Sequence, residues 1–160
     1  MEYVHASLKL EPGMPALQHS GWTMNAGWLV AASAAITIAL GLLHLYFTYV
    51  GNKLHPRDAA LMEQMKQVQL VIARTSTWRA WIGFNASHSL GLILFGALFG
   101  YLSLAQPGVL FGSWFVGAIG LAALAAWLIM ARAYWFARPL QAVALASVLY
   151  VAGWITANWQ

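Results

Sequence analysis

Two histidines, an asparagine and a tryptophan are the residues of this sequence best placed to do chemistry. His44 and His88 lie in two successive apolar segments, about 9 Å and about 12 Å from the inner ends of those segments at the rise of a helix. Asn85 precedes His88 by three positions and Trp81 precedes it by seven, so the three share one helix face. Polar groups are expensive inside a membrane and mark functional sites there. We therefore take His44, Trp81, Asn85 and His88 as the candidate cofactor-binding residues.

Three roles for this polar stripe remain open on sequence grounds. The histidines could be structural and form hydrogen bonds with Ser, Thr, Asn or backbone groups across helices. They could instead ligate a cofactor, because imidazole binds haem iron and two facing helices can place one histidine on each side of a haem. In the third interpretation His88, Asn85 and the tryptophans line a pocket for a quinone, a lipid or a pigment.

The acid and thiol inventory limits catalysis in the apolar segments. The chain has no cysteine, which excludes thiol redox chemistry and thiolate metal sites. The four carboxylates all lie outside the apolar segments, so no buried acid is predicted to act as a general base or to bridge metals. No metal site is predicted, and His55 is interpreted as a surface residue. We expect a protein that is not an enzyme.

The composition is typical of a membrane protein. Hydrophobic residues make up 61% of the 160-residue chain and charged residues 8%, against roughly 45–50% and about 25% in soluble proteins. Four apolar segments are long enough to cross the bilayer as helices, at 26–50, 80–105, 109–131 and 140–159. We predict an all-α up-down four-helix transmembrane bundle over 26–160 and an external N-terminal tail over 1–25.

The loop between the first two segments is predicted to contain an amphipathic helix at about 57–74, lying on the inner membrane surface. Its apolar face consists of Leu61, Met65, Val68 and Ile72 at helical spacing.

The basic residues predict the orientation. Five lie between the first two segments and two between the last two, whereas Lys9 lies on the other side: Lys53, Arg57, Lys66, Arg74 and Arg79, then Arg132 and Arg138. Basic residues favour cytoplasmic loops. We therefore place loops 51–79 and 132–138 in the cytoplasm and both termini in the periplasm. Eight basic residues spread in this way do not predict a nucleic-acid partner.

A set of short motifs in the first half of the chain carries a resemblance. His44-Leu45-x-x-Thr48, Pro56-Arg57-Asp58 and the stretch Trp78-Arg79-Ala80-Trp81-x-Gly83-Phe84-Asn85-x-Ser87-His88-Ser89 are similar to a family of small four-span bacterial membrane proteins that is uncharacterised. The resemblance implies a multi-pass protein of the bacterial inner membrane. It implies no activity.

Small residues at four-residue spacing predict close helix crossings, as at Gly27, Ala31, Ala35 and Ala39 in the first segment and Gly96 and Gly100 in the second. The sequence contains more of these small-residue faces than one compact bundle requires. Our first hypothesis is therefore a non-enzymatic accessory or structural subunit of a larger membrane complex, with a membrane-protein partner or a second copy of the chain. The alternative is a haem- or quinone-binding electron-transfer protein that uses His44 and His88.

Overall fold

The computed structural model describes residues 18–72 and 74–159, and helices account for 84% of them, with no strand in these ranges. The all-helical prediction is confirmed. The first 17 residues of the predicted tail lie outside the described residues. In chain order the helices are α1 (Gln18–Tyr49), α2 (Ala59–Gln67), α3 (Thr77–Ala105), α4 (Pro107–Gly112), α5 (Trp114–Tyr134) and α6 (Ala137–Asn158).

Four of these helices are long and apolar enough to cross a membrane, and they indicate a multi-pass membrane protein. Each coincides with one of the predicted segments. Their apolar parts are Met24–Tyr49 in α1 and the whole of α3, α5 and α6. Each has at least the roughly 20 residues that a hydrocarbon core requires.

The third long helix begins later than the predicted segment 109–131. Pro107 starts the separate short helix α4, where its missing N–H costs no helical hydrogen bond. The chain then breaks at Ser113, whose Oγ accepts a hydrogen bond from the backbone N–H of Val116 at 3.4 Å and caps α5. The four residues before Ser113 therefore belong to α4.

The helix predicted at about 57–74 is shorter in the structure, at Ala59–Gln67. Asp58 caps its start, as its Oδ1 accepts a hydrogen bond from the backbone N–H of Ala60 at 2.8 Å. The chain turns back after the helix, because the N–H of Thr77 donates to the carbonyl of Val68 at 2.9 Å. Val68 and Ile72 therefore leave the predicted apolar face, and Ile72 is 93% exposed. The α2 helix itself rests against α3.

Helices α1 and α3 are antiparallel, and they pack closely because glycines lie between them. A Cβ added to Gly96 would come 2.6 Å from the carbonyl oxygen of Ala34, and one added to Gly41 would come 2.8 Å from that of Ser89. Real Cβ atoms do not tolerate such contacts, so glycine is required at both positions for this spacing. The predicted small residue Gly96 therefore faces α1.

The opposite side of α1 packs against α6. The hydroxyl of Ser33, which is completely buried, donates to the carbonyl oxygen of Ala146 at 2.7 Å. Helix α6 in turn packs against α5, and its Tyr150 donates the hydroxyl proton to the carbonyl oxygen of Gly117 at 3.1 Å. Each polar side chain here bonds a backbone carbonyl of a neighbouring helix, which satisfies it in an apolar interior.

Aromatic rings fill the space between α3, α5 and α6. Phe95 lies edge to face on Trp127, with ring centroids 5.2 Å apart, and Phe99 lies in the same way on Tyr150 at 5.6 Å. Such edge-to-face pairs add roughly 0.5–1.5 kcal/mol to the burial of their surface. The contact of α3 with α5 therefore depends on large side chains, whereas its contact with α1 depends on glycine.

All charged side chains of the described residues lie at one end of the four long helices. This end, called the cationic end below, comprises the segment 50–76, the turn after α5 and the adjoining helical turns. It carries seven Lys and Arg residues and two carboxylates: Lys53, Arg57, Lys66, Arg74, Arg79, Arg132, Arg138, Asp58 and Glu63.

Candidate functional site

The predicted site residues His44 and Asn85 meet between α1 and α3. The Nε2–H of His44 donates to Oδ1 of Asn85 at 2.8 Å. The amide is held in that orientation, because its Nδ2 donates to the carbonyl oxygen of Trp81 one turn earlier, also at 2.8 Å. A neutral imidazole carries one N–H, so this arrangement assigns it to Nε2 and leaves Nδ1 of His44 as an acceptor.

His88 lies beside this pair and contacts aromatic rings. Its ring centroid is 5.3 Å from that of His44, with the planes at 73°. Trp135, in the turn between α5 and α6, approaches its other side at 4.8 Å and 76°. His88 is half-buried, and no hydrogen bond joins its ring nitrogens to another described residue. It is therefore the histidine of the pair that keeps its polar atoms available to a ligand.

Trp81 contributes differently from the prediction. Its carbonyl orients Asn85, whereas its indole stacks on Trp78 with centroids 5.4 Å apart and planes at 13°. His55, from the loop after α1, lies edge-on to Trp78 at 5.0 Å. His55 is half-buried, so its interpretation as a surface residue is too simple. The tryptophan pair fixes the loop to the start of α3, next to the histidines.

The remaining polar side chains around the site are satisfied within their own helices. Thr48, 1% exposed, donates its hydroxyl proton to the carbonyl of His44 at 2.8 Å, and Ser89, completely buried, donates to that of Asn85 at 2.8 Å. These bonds leave the hydroxyls without free capacity to donate. The chemistry available to a ligand therefore comes from the two imidazoles.

A haem between the two histidines does not fit this geometry. The imidazoles touch each other edge to face, so no gap for a macrocycle separates them. The helices cannot provide one at this level, because Gly41 lies directly on the backbone of Ser89. Ligation by both histidines needs one imidazole on each face of the porphyrin. Among the described residues no group of three His, Cys, Asp or Glu side chains could hold a metal ion either.

A cavity lies between α5 and α6, at the end of the helices opposite to the histidines. Its volume is about 350 Å³ and its lining is almost wholly apolar, with Trp114, Leu121 and Trp154 among the walls. The indole Nε1 of Trp154 is buried and has no hydrogen-bond partner among the described residues. Tyr150 and Trp154 of α6 thus face α5 and do not join the histidines.

Sequence reasoning missed Trp135 and His55 as neighbours of the site. Trp135 lies 47 positions after His88, and only the packing of the last two helices brings the two together. The available signal was a tryptophan in the short turn at the histidine end of the helices, where interfacial rings are common.

Comparison of the chain with family models, with curated proteins and with solved structures finds no match.

Proposed function

We propose that this protein is a non-enzymatic accessory subunit of a larger membrane complex, inserted as a four-helix bundle in a bacterial inner membrane. The cationic end lies on the cytoplasmic side, as positively charged loops favour. The resemblance to small four-span bacterial proteins supports the choice of membrane. The proposed partner is a transmembrane helix of a second polypeptide.

The uncovered face of α5 carries this proposal. Helix α5 packs against α6 and α4, whereas its contact with α3 is made by aromatic side chains. Its outer face combines exposed alanines at helical spacing, Ala118, Ala122, Ala125 and Ala126, with the exposed large side chains of Phe115, Ile119 and Ile129. Small residues let helix backbones approach closely, which is how helices associate in lipid, so the alanines favour contact with a further helix.

Bulky substitution on this face tests the proposal. The tagged full-length chain is extracted from its native membrane in mild detergent, and the particle mass is measured by size-exclusion chromatography with light scattering. We expect a heteromeric particle for the wild type and for Ala97→Trp, whose site is exposed on α3. Ala122→Trp is expected to release a monomer. A monodisperse wild-type monomer, or equal effects of the two variants, contradicts the proposal.

The free imidazole of His88 favours a second candidate function, the binding of a quinone. A quinone carbonyl accepts hydrogen bonds, and His88 offers a ring N–H beside the apolar face of Trp135. His44 would act as the positioning neighbour, since its own N–H is bonded to Asn85. Quinone sites of this kind are mostly apolar with a few placed polar groups.

A titration with a short-chain ubiquinone, followed by tryptophan quenching, tests this candidate. We expect saturable binding that weakens about tenfold or more in His88→Ala, since a buried quinone carbonyl left without its hydrogen-bond partner costs roughly 1–3 kcal/mol. The matched control is Ser87→Ala, because Ser87 is exposed and bonds only the carbonyl of Gly83. Unsaturable quenching, or equal binding by both variants, rejects it.

A further inference from the structure

An open groove at the cationic end is distinct from the histidine site. It has a volume of about 730 Å³ and is formed by the loop between α1 and α2, the start of α2 and the turn before α6. Its polar lining comprises Asn52, Lys53, His55 and Arg57, and Phe136 closes one side.

The lining of the groove contains two cations and no carboxylate. Among the described residues the one ion pair joins Lys66 to Glu63 at 3.2 Å, and neither of these residues lines the groove. Asp58 follows Arg57 directly and adds one negative charge nearby, but its Oδ1 accepts the backbone N–H groups at the start of α2, and it forms no ion pair with Lys53 or Arg57. The two lining cations outnumber this carboxylate and lie with a histidine and an amide, which favours an anionic ligand.

The lining is held in place by aromatic contacts. The Nζ of Lys53 lies 4.7 Å from the ring centroid of Phe47, a distance typical of a cation–π interaction. His55 is packed on Trp78, which stacks on Trp81 at the start of α3. The loop is thereby tied to two of the long helices. Less conformational entropy is lost when a ligand binds groups that are already positioned.

The position of the groove identifies the ligand class. It lies just beyond the end of α1 and is lined by Phe136 of the turn before α6, the level at which aromatic residues meet lipid headgroups if the bundle spans a membrane. Basic pockets at this level on the cytoplasmic side bind phosphate-bearing headgroups. We propose that Lys53 and Arg57, with Asn52 and His55, bind the phosphate of an anionic phospholipid. This step rests on the proposed membrane insertion and is independent of the proposed partner.

Native mass spectrometry of the full-length chain with equal amounts of phosphatidylglycerol and phosphatidylcholine tests the site. We expect preferential retention of phosphatidylglycerol by the wild type. A cation that contacts the bound headgroup is expected to contribute about fivefold to its binding, so Lys53→Gln/Arg57→Gln should weaken it about 25-fold. The matched control is Lys66→Gln/Arg74→Gln, which removes the same charge from the same end outside the groove and should weaken it less than threefold, because salt screens charges that do not contact the headgroup.

The other outcomes overturn the proposal in distinguishable ways. Equal losses in the two double variants would mean that overall charge, and no particular groove, attracts the lipid. Displacement of phosphatidylglycerol by inorganic phosphate at equal concentration would assign the groove to free phosphate. Retention of neither lipid would reject the headgroup site and leave membrane insertion to be tested separately. Circular dichroism of each variant confirms its helix content, and Arg57→Lys, which keeps the charge, is expected to retain most of the preference.

Discussion

His44 donates a 2.8 Å hydrogen bond to Asn85 and so joins α1 to α3 next to the cationic end. The bond also explains why only one of the two histidines is free. Asn85 occupies the N–H of His44, whereas His88, three residues further along α3, packs against the rings of His44 and Trp135 and forms no hydrogen bond with a described side chain. His44 thus positions the site, whereas His88 presents its ring nitrogens to a ligand that binds there.

The first prediction concerns this bond. In a double-mutant cycle of His44→Ala and Asn85→Ala, we expect a coupling free energy of about 1 kcal/mol, within the range of interhelical hydrogen bonds in membranes. Unfolding of the purified protein in mixed micelles with increasing SDS measures it. A cycle that pairs His44→Ala with Ser87→Ala serves as the control and should be additive, because Ser87 bonds only within its own helix. Additivity in the first cycle would show that the bond contributes nothing.

The second prediction concerns two glycines in α3 with opposite surroundings. Gly96→Ala is expected to destabilise the fold by about 1–3 kcal/mol, since the new Cβ would meet the backbone of Ala34 at 2.6 Å. Gly83→Ala is expected to be neutral or to stabilise by up to about 1 kcal/mol, because nothing lies within 4 Å and alanine favours helix. The same unfolding assay compares them. Equal effects of the two changes would exclude the close crossing of α1 and α3.

The third prediction concerns the contact of α5 with α6. Tyr150 is 1% exposed and its hydroxyl bonds the carbonyl of Gly117 at 3.1 Å. Tyr150→Phe removes this bond without changing the packed ring, and we expect a loss of about 0.5–1.5 kcal/mol in the free energy of unfolding. Tyr134→Phe, at a site 84% exposed, should change it by less than about 0.5 kcal/mol. A loss no larger for Tyr150 than for Tyr134 would argue against the bond.

Hydropathy was sufficient to predict the four long helices, and helical spacing placed His44 and His88 at similar depths in the first two of them. They failed at helix boundaries. Ser113 caps the start of α5 at a position that hydropathy does not register, so α5 starts later than predicted. Helix α2 ends at Gln67 because the chain turns back there through the hydrogen bond between Thr77 and Val68. Hydropathy and helical spacing also did not predict the groove, because Phe136 and Lys53 come together only through the packing of helices distant in sequence.

Insertion of the four helices in a membrane is the claim on which the partner and the groove depend, and the groove also depends on their orientation. The sequence has no cysteine, so single cysteines can be introduced and labelled without background. Gln67→Cys lies at the cationic end and Gly108→Cys at the other end, and both positions are exposed. With a membrane-impermeant maleimide on intact bacterial spheroplasts, we predict labelling of Gly108→Cys at once and of Gln67→Cys only after lysis. Labelling of both before lysis, or the reverse order, would contradict the account.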